Sequence, residues 1–205
     1  MTVVGACALL LALLTWQVAV HGPLFHSDTG VDSAVLQAAA RYRFLTPAAQ
    51  FLADLGDIQV AVPALAAALG YAAWYRRRAG HARWWLPSAC CALVMALVGP
   101  VIVPLKDLVS RPAPGSTVLL GHSGYFPSGH ASTAAMACGL ALLATLPLLR
   151  STSARRLLVA AAVLLNGAVG AGLVWRGYHW PLDVAAAWCL SGVLLGLTRW
   201  WGSPG

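Results

Sequence analysis

Glutamate is absent from this chain of 205 residues, and only 9% of its residues carry a charge. A soluble domain carries about 25% charged residues. With 60% hydrophobic residues and a mean hydropathy of +0.74, the composition excludes an ordinary soluble domain and implies an integral membrane protein. Cysteine is also scarce: Cys7, Cys90, Cys91, Cys138 and Cys189 are odd in number, lie within apolar runs and lack zinc spacing. They read as small buried residues, which excludes a disulfide framework and a zinc-binding module. No internal repeat, low-complexity tract or heptad array is present. The formal net charge of +7 would suit nucleic acid, but the basic residues form short clusters between apolar runs. Membrane topology accounts for such clusters, so no nucleic-acid partner is expected.

A bilayer core needs about 20 apolar residues of helix. Six stretches approach that length, at about 2–20, 55–75, 85–105, 130–149, 157–175 and 181–199. The expected fold is therefore all-α, a single integral-membrane domain over 1–205 with six transmembrane helices. The first stretch lacks the basic flank of a signal peptide, and further spans follow, so it reads as a membrane helix. A polar loop follows it, in which a short interfacial helix over Ser33 to Phe44 is expected. Arg76, Arg77, Arg78, Arg83, Arg150, Arg155, Arg156 and Arg199 fall in connections or at a span end that would then share one side. Basic loops stay cytoplasmic, which puts both termini inside and the connections after spans one, three and five outside. Trp74, Trp84, Trp85, Trp175, Trp180, Trp200 and Trp201 fall at proposed span ends, as an interfacial belt requires. Gly167, Gly170, Gly172, Gly192 and Gly196 are expected at close helix contacts. The Ala-, Arg- and Leu-rich composition suits a GC-rich bacterium, whose plasma membrane is the expected location.

Three polar islands fall on the outer face under this topology: Lys106 to Arg111, Tyr125 to His130, and Arg176 to Asp183. Pro127-Ser128-Gly129-His130 opens directly into an apolar run. A Ser-Gly pair before a helix offers a hydroxyl cap, backbone N–H groups and the positive end of the dipole, where an anion can settle. His179 and Asp183 are four residues apart, so the carboxylate can reach the imidazole, fix one ring nitrogen as donor and leave the other to attack or accept a proton. Two histidines and an aspartate could also bind a metal, but the surrounding cations favour an anion, and phosphate suits guanidinium and ammonium donors best. No metal and no cofactor are expected. Asp107 reads as a local ion-pair partner of Lys106, and His122 as a solvated loop residue or a second proton carrier.

At these residues the sequence resembles the type-2 phosphatidic-acid phosphatase superfamily, which includes bacterial acid phosphatases and vanadium haloperoxidases. That family carries Lys, six residues, Arg-Pro; then Pro-Ser-Gly-His; then Ser-Arg, five residues, His, three residues, Asp. Here Pro127 to His130 is complete, and Lys106, His179, the following Trp180-Pro181 and Asp183 are kept. The two family arginines are displaced. Ala113 stands where the first is expected, with Arg111 two places earlier; Gly172 and Leu173 stand in place of Ser-Arg, with Arg176 three places later. Three places on a helix turn a side chain by about 60° and move it about 4.5 Å, within reach of a guanidinium arm. Arg111 and Arg176 are accordingly expected to replace the missing pair, the alternative being a weakened or altered site.

The resemblance implies that His179 attacks phosphorus to form a phosphohistidine, that Asp183 orients it, and that His130 protonates the departing alkoxide. Lys106, Arg111, Arg176 and the N–H groups near Ser128 and Gly129 would hold the phosphate oxygens. The implied partners are membrane lipids and a lipid phosphate substrate such as phosphatidate, phosphatidylglycerol phosphate or a polyprenyl phosphate or diphosphate. A lipid phosphotransferase and a non-hydrolytic lipid-phosphate carrier are the competing functions. The sequence leaves the substrate and the oligomeric state open.

Overall fold

Each of the six apolar stretches closes its backbone hydrogen bonds within itself, because a bilayer core offers no water to satisfy them. The computed structural model describes residues 2–116 and 124–201. Among these, six helices are long and apolar enough to cross a membrane: α1 (Thr2–Ala19), α4 (Ile58–Arg78), α5 (Leu86–Val109), α6 (Gly129–Thr145, continued by a 3-10 turn at Leu146–Leu148), α7 (Thr152–Trp175) and α8 (Pro181–Trp201). Two further helices, α2 (Pro23–Arg41) and α3 (Thr46–Asp54), fill the connection between α1 and α4. The described residues contain no strand.

α6 is the hub, packing against α4, α5, α7 and α8. Its small residues let the neighbours approach, and Met136, Leu140 and Ala144 are buried with Leu65, Ala72, Cys91, Ile102 and Leu190 from α4, α5 and α8. α1 closes against α8, where Gly192 and Gly196 lie against Cys7 and Val4. Gly170 of α7 lies against Val184 and Trp188 of α8, whereas no neighbour among the described residues comes within 4 Å of a Cβ placed on Gly167. Alternating directions bring the ends of α1, α5 and α7 and the starts of α4, α6 and α8 to one end of the bundle.

Several expected boundaries move for local reasons. The second span starts at Ile58, because the chain turns at Gly56 and Asp57 through bonds back to Ala53 and Asp54. The third runs on to Val109, where Ser110 takes a left-handed conformation (φ 48°) and donates its N–H to the Lys106 carbonyl, a helix-ending geometry. Lys106 therefore sits on the last turn of a helix. The fifth starts five residues early, because the Ser151 hydroxyl accepts from the Ala154 N–H. The connecting helix expected at Ser33 to Phe44 is longer and earlier. Pro23 occupies its first turn, where a missing N–H costs nothing, and it ends at Arg41.

Candidate active site

The site is assembled where these helix ends meet. Ser128 caps α6: its Oγ accepts from the Ala131 N–H at 3.2 Å, and its own N–H donates to the Asp183 carbonyl at 3.0 Å. This second bond ties the start of α6 to the start of α8. Upstream, the Tyr125 N–H donates to the Arg111 carbonyl at 2.9 Å. A Cβ on Gly124 would lie 2.6 Å from the Lys106 carbonyl and 2.8 Å from the Arg111 nitrogen, so only glycine allows this approach. Together these contacts bring Lys106, His130 and His179 to a shared open cleft of about 630 Å³.

The two imidazoles face each other with ring centroids 6.1 Å apart, and the Tyr125 ring lies 5.7 Å from that of His179. His179 is buried, with Nδ1 3.4 Å from Oδ2 of the fully buried Asp183. Oδ2 also accepts from the Trp180 N–H at 3.3 Å. Burial lowers the His179 pKa below the ordinary imidazole value, and Asp183 partly offsets this by favouring the charged ring. A neutral ring whose Nδ1–H points at Asp183 presents a lone pair at Nε2. His130 is half-exposed, and its Nε2 lies 2.7 Å from Oδ1 of Asp57. Asp57 occupies the N-cap of α4 yet makes no capping bond, so its carboxylate is free to accept from the His130 ring.

The displaced arginines take different places. Arg111 does not line the cleft. It is 2% exposed, donates from Nη1 to Asp183 Oδ1 at 2.7 Å and from Nη2 to Asp28 Oδ2 at 2.6 Å, and lies between the rings of Phe25 and Trp180. Its two Nη donors face buried carboxylates behind His179, away from the cleft where a phosphate clamp was expected. Ser128 is fully buried, and its oxygen caps α6. Gly129 lines a recess beside the cleft together with Lys106 and His130. Arg176 stays near the rim, where its Nε donates to Gln50 Oε1 at 2.7 Å and its guanidinium stacks on Tyr178, two residues that do line the cleft. Asp107 is exposed, and among the described residues no ion pair joins it to Lys106; His122 lies outside the described residues.

Tyr125, which opens the second polar island, lines the cleft, and Gln50, Asp54, Asp57 and Tyr178 line it without having been assigned a role in the sequence. Asp28 was equally missed. Burial pushes its carboxyl above the ordinary range, even against the lowering effect of Arg111. An acid just before an apolar span was the visible sign for Asp57. For Gln50 and Asp28 no local sign exists, because α3 and α2 reach the site only through packing on α7 and α8.

A model of the PAP2 superfamily matches residues 85–204, which hold Lys106, Pro127 to His130, and His179 to Asp183. Among solved structures, one described as the first transmembrane PAP2 type phosphatidylglycerolphosphate phosphatase, from Bacillus subtilis, has a TM-score of 0.81 to this chain. It is 22% identical, and the match covers 98% of this chain and 96% of that one. At this identity the likeness is one of fold. No curated protein sequence matches.

Proposed function

The chain belongs to the PAP2 superfamily and is a phosphatase of the type-2 class; from that premise we propose that it acts on lipid in the membrane, releasing phosphate from a membrane lipid phosphate through a phosphohistidine at His179. The observation that carries this reading is the pair of imidazoles, 6.1 Å apart between centroids, opening onto one cleft beside Lys106. That separation leaves room for a phosphoryl group between a nucleophile and a proton donor.

His179 Nε2 attacks phosphorus as the bond to the alkoxide or to the leaving phosphate breaks, and Nδ1–H is held by Asp183. His130 gives its proton to the leaving oxygen, then takes one from the water that cleaves the P–N bond. Lys106 and the backbone N–H groups at the start of α6 stabilise the equatorial oxygens, with Arg176 near the rim as the second cation. Each step balances using side chains of this protein and water, so activity is expected to persist with a chelator. The candidate substrates are phosphatidate, phosphatidylglycerol phosphate and a polyprenyl phosphate or diphosphate. The cleft opens at the helix ends, at headgroup depth, where a lipid arrives by lateral diffusion. The loop arginines at the opposite end support cytoplasmic termini and an outward-facing site in a bacterial plasma membrane.

Phosphate release from these lipids, measured in detergent with EDTA beside His179→Ala, tests the proposal. The variant is expected to lose activity by about 10³-fold or more. Equal rates in the two proteins, or no release from any of the lipids, would overturn it, and labelled phosphate appearing on a second lipid would identify a transferase.

A further inference from the structure

We propose that Asp28 and Arg111 form a positioning relay to the nucleophile: the connecting helix α2 fixes the orientation of Asp183 through the Arg111 guanidinium, and this arginine does not bind substrate phosphate. The relay rests on the phosphatase reading above and assigns residues that lie partly outside the family-matched region, since Asp28 precedes residue 85.

The geometry is continuous. Asp28 Oδ1 accepts from the Leu182 N–H at 2.9 Å, which docks α2 onto the first turn of α8. Asp28 Oδ2 accepts from Arg111 Nη2, and Arg111 Nη1 donates to Asp183 Oδ1. With Oδ1 taken, Oδ2 is the oxygen that meets the His179 ring and the Trp180 N–H. The carboxylate plane is thus fixed from behind, and with it the direction of the imidazole. The Phe25 and Trp180 rings lie 5.1 and 4.6 Å from the guanidinium carbon and hold the arm in place. Turning Arg111 toward the cleft would leave Asp28 and Asp183 buried without their cation, an arrangement proteins avoid.

The charges that face His179 and Asp183 come from several packed elements, and Asp54 of α3 and Asp57 at the start of α4 line the same cleft as His179. α2 contributes Asp28 and Asp32, the end of α5 and its loop contribute Lys106 and Arg111, and α6 contributes His130. Removing the Asp28 charge leaves Arg111 compensating Asp183 alone, which favours the neutral His179 ring. The acid limb of the kcat/KM profile should then move to lower pH.

Asp28→Asn and Arg111→Lys, assayed on phosphatidate in detergent, test the relay. Both variants should lose kcat by about ten- to a hundred-fold, with KM and the inhibition constant for inorganic phosphate changed by less than about two-fold. Asp28→Asn should also lower the acid limb, and the double variant should be no slower than the slower single one, as residues acting in series require. Two results would overturn the relay: Asp28→Asn with the kinetics of the parent, or Arg111→Lys raising the phosphate inhibition constant ten-fold while kcat holds. Should neither variant fold, Phe25→Leu loosens the same guanidinium; it should lower kcat with phosphate inhibition unchanged, and weaker phosphate inhibition there would refute the relay. A parent protein that releases no phosphate, or a His179→Ala variant as active as the parent, would instead sink the phosphatase reading.

Discussion

Asp32 lies one turn beyond Asp28 on α2, 2% exposed, and its Oδ1 has no hydrogen-bond partner among the described residues. Burial, and then the charge on Asp28, push its carboxyl from 3.8 up to about 6. A carboxyl that the fold holds at about 6 binds more protons folded than unfolded between those two values. The protein therefore loses stability as pH rises through that window, and the loss is complete above about 6. Multiplying the difference, 6 − 3.8, by about 1.36 kcal/mol per unit gives on the order of 3 kcal/mol. Asp32→Asn keeps the shape and removes the charge, so it should stabilise the folded protein by up to that amount at pH 7.5. For a chain of this size the gain corresponds to about 2–4 °C in Tm per kcal/mol. Thermal unfolding in detergent, followed at pH values from 4 to 8, checks this. The two proteins should converge near pH 4 and separate progressively up to about pH 6. A difference that stays constant across the range, or an Asn variant less stable at pH 7.5, would refute the reasoning by showing that the Asp32 charge is compensated.

Because burial lowers the His179 pKa, its neutral, nucleophilic form persists below the ordinary imidazole value of 6.5. The acid limb of kcat/KM should accordingly fall below pH 6.5; a limb above that value would contradict the burial of this ring. Restoring the family serine with Gly172→Ser should harm the protein rather than repair it. A Cβ there meets the Ala49 carbonyl at 2.7 Å and the Ala53 nitrogen at 2.9 Å, both backbone atoms of α3. Overpacking of this kind costs about 1–3 kcal/mol, read as a lower Tm and a higher KM as Gln50 and Arg176 shift; a variant with parental Tm and KM would show that α3 yields freely.

The departures from the family pattern become physical once α2 and α3 are in place. Gly172 stands in the position of the family serine because the α3 backbone packs against it, and Leu173 beside it is fully buried while still lining the cleft. Neither reason is legible in the sequence, since both depend on a helix more than a hundred residues away. The six spans were legible, because apolar length is a local property. The conjunction of Lys106, His130 and His179 was legible in outline, because alternating spans send the ends of α5 and α7 and the start of α6 to one side. What spacing alone could not tell was the direction of a guanidinium. Arg111 sits at a distance along the chain that suits a phosphate clamp, yet two carboxylates, one from α2 and one from α8, compete for it at 2.6 and 2.7 Å. Two fixed, dehydrated anions outbid a cleft open to water, where a guanidinium would share its donors with solvent. The cleft is left with Lys106 as its lining cation and with Asp54 and Asp57 on its wall. This balance suits a phosphomonoester better than the larger negative charge of a diphosphate, so among the candidate lipids the monoesters are the ones this site should turn over fastest.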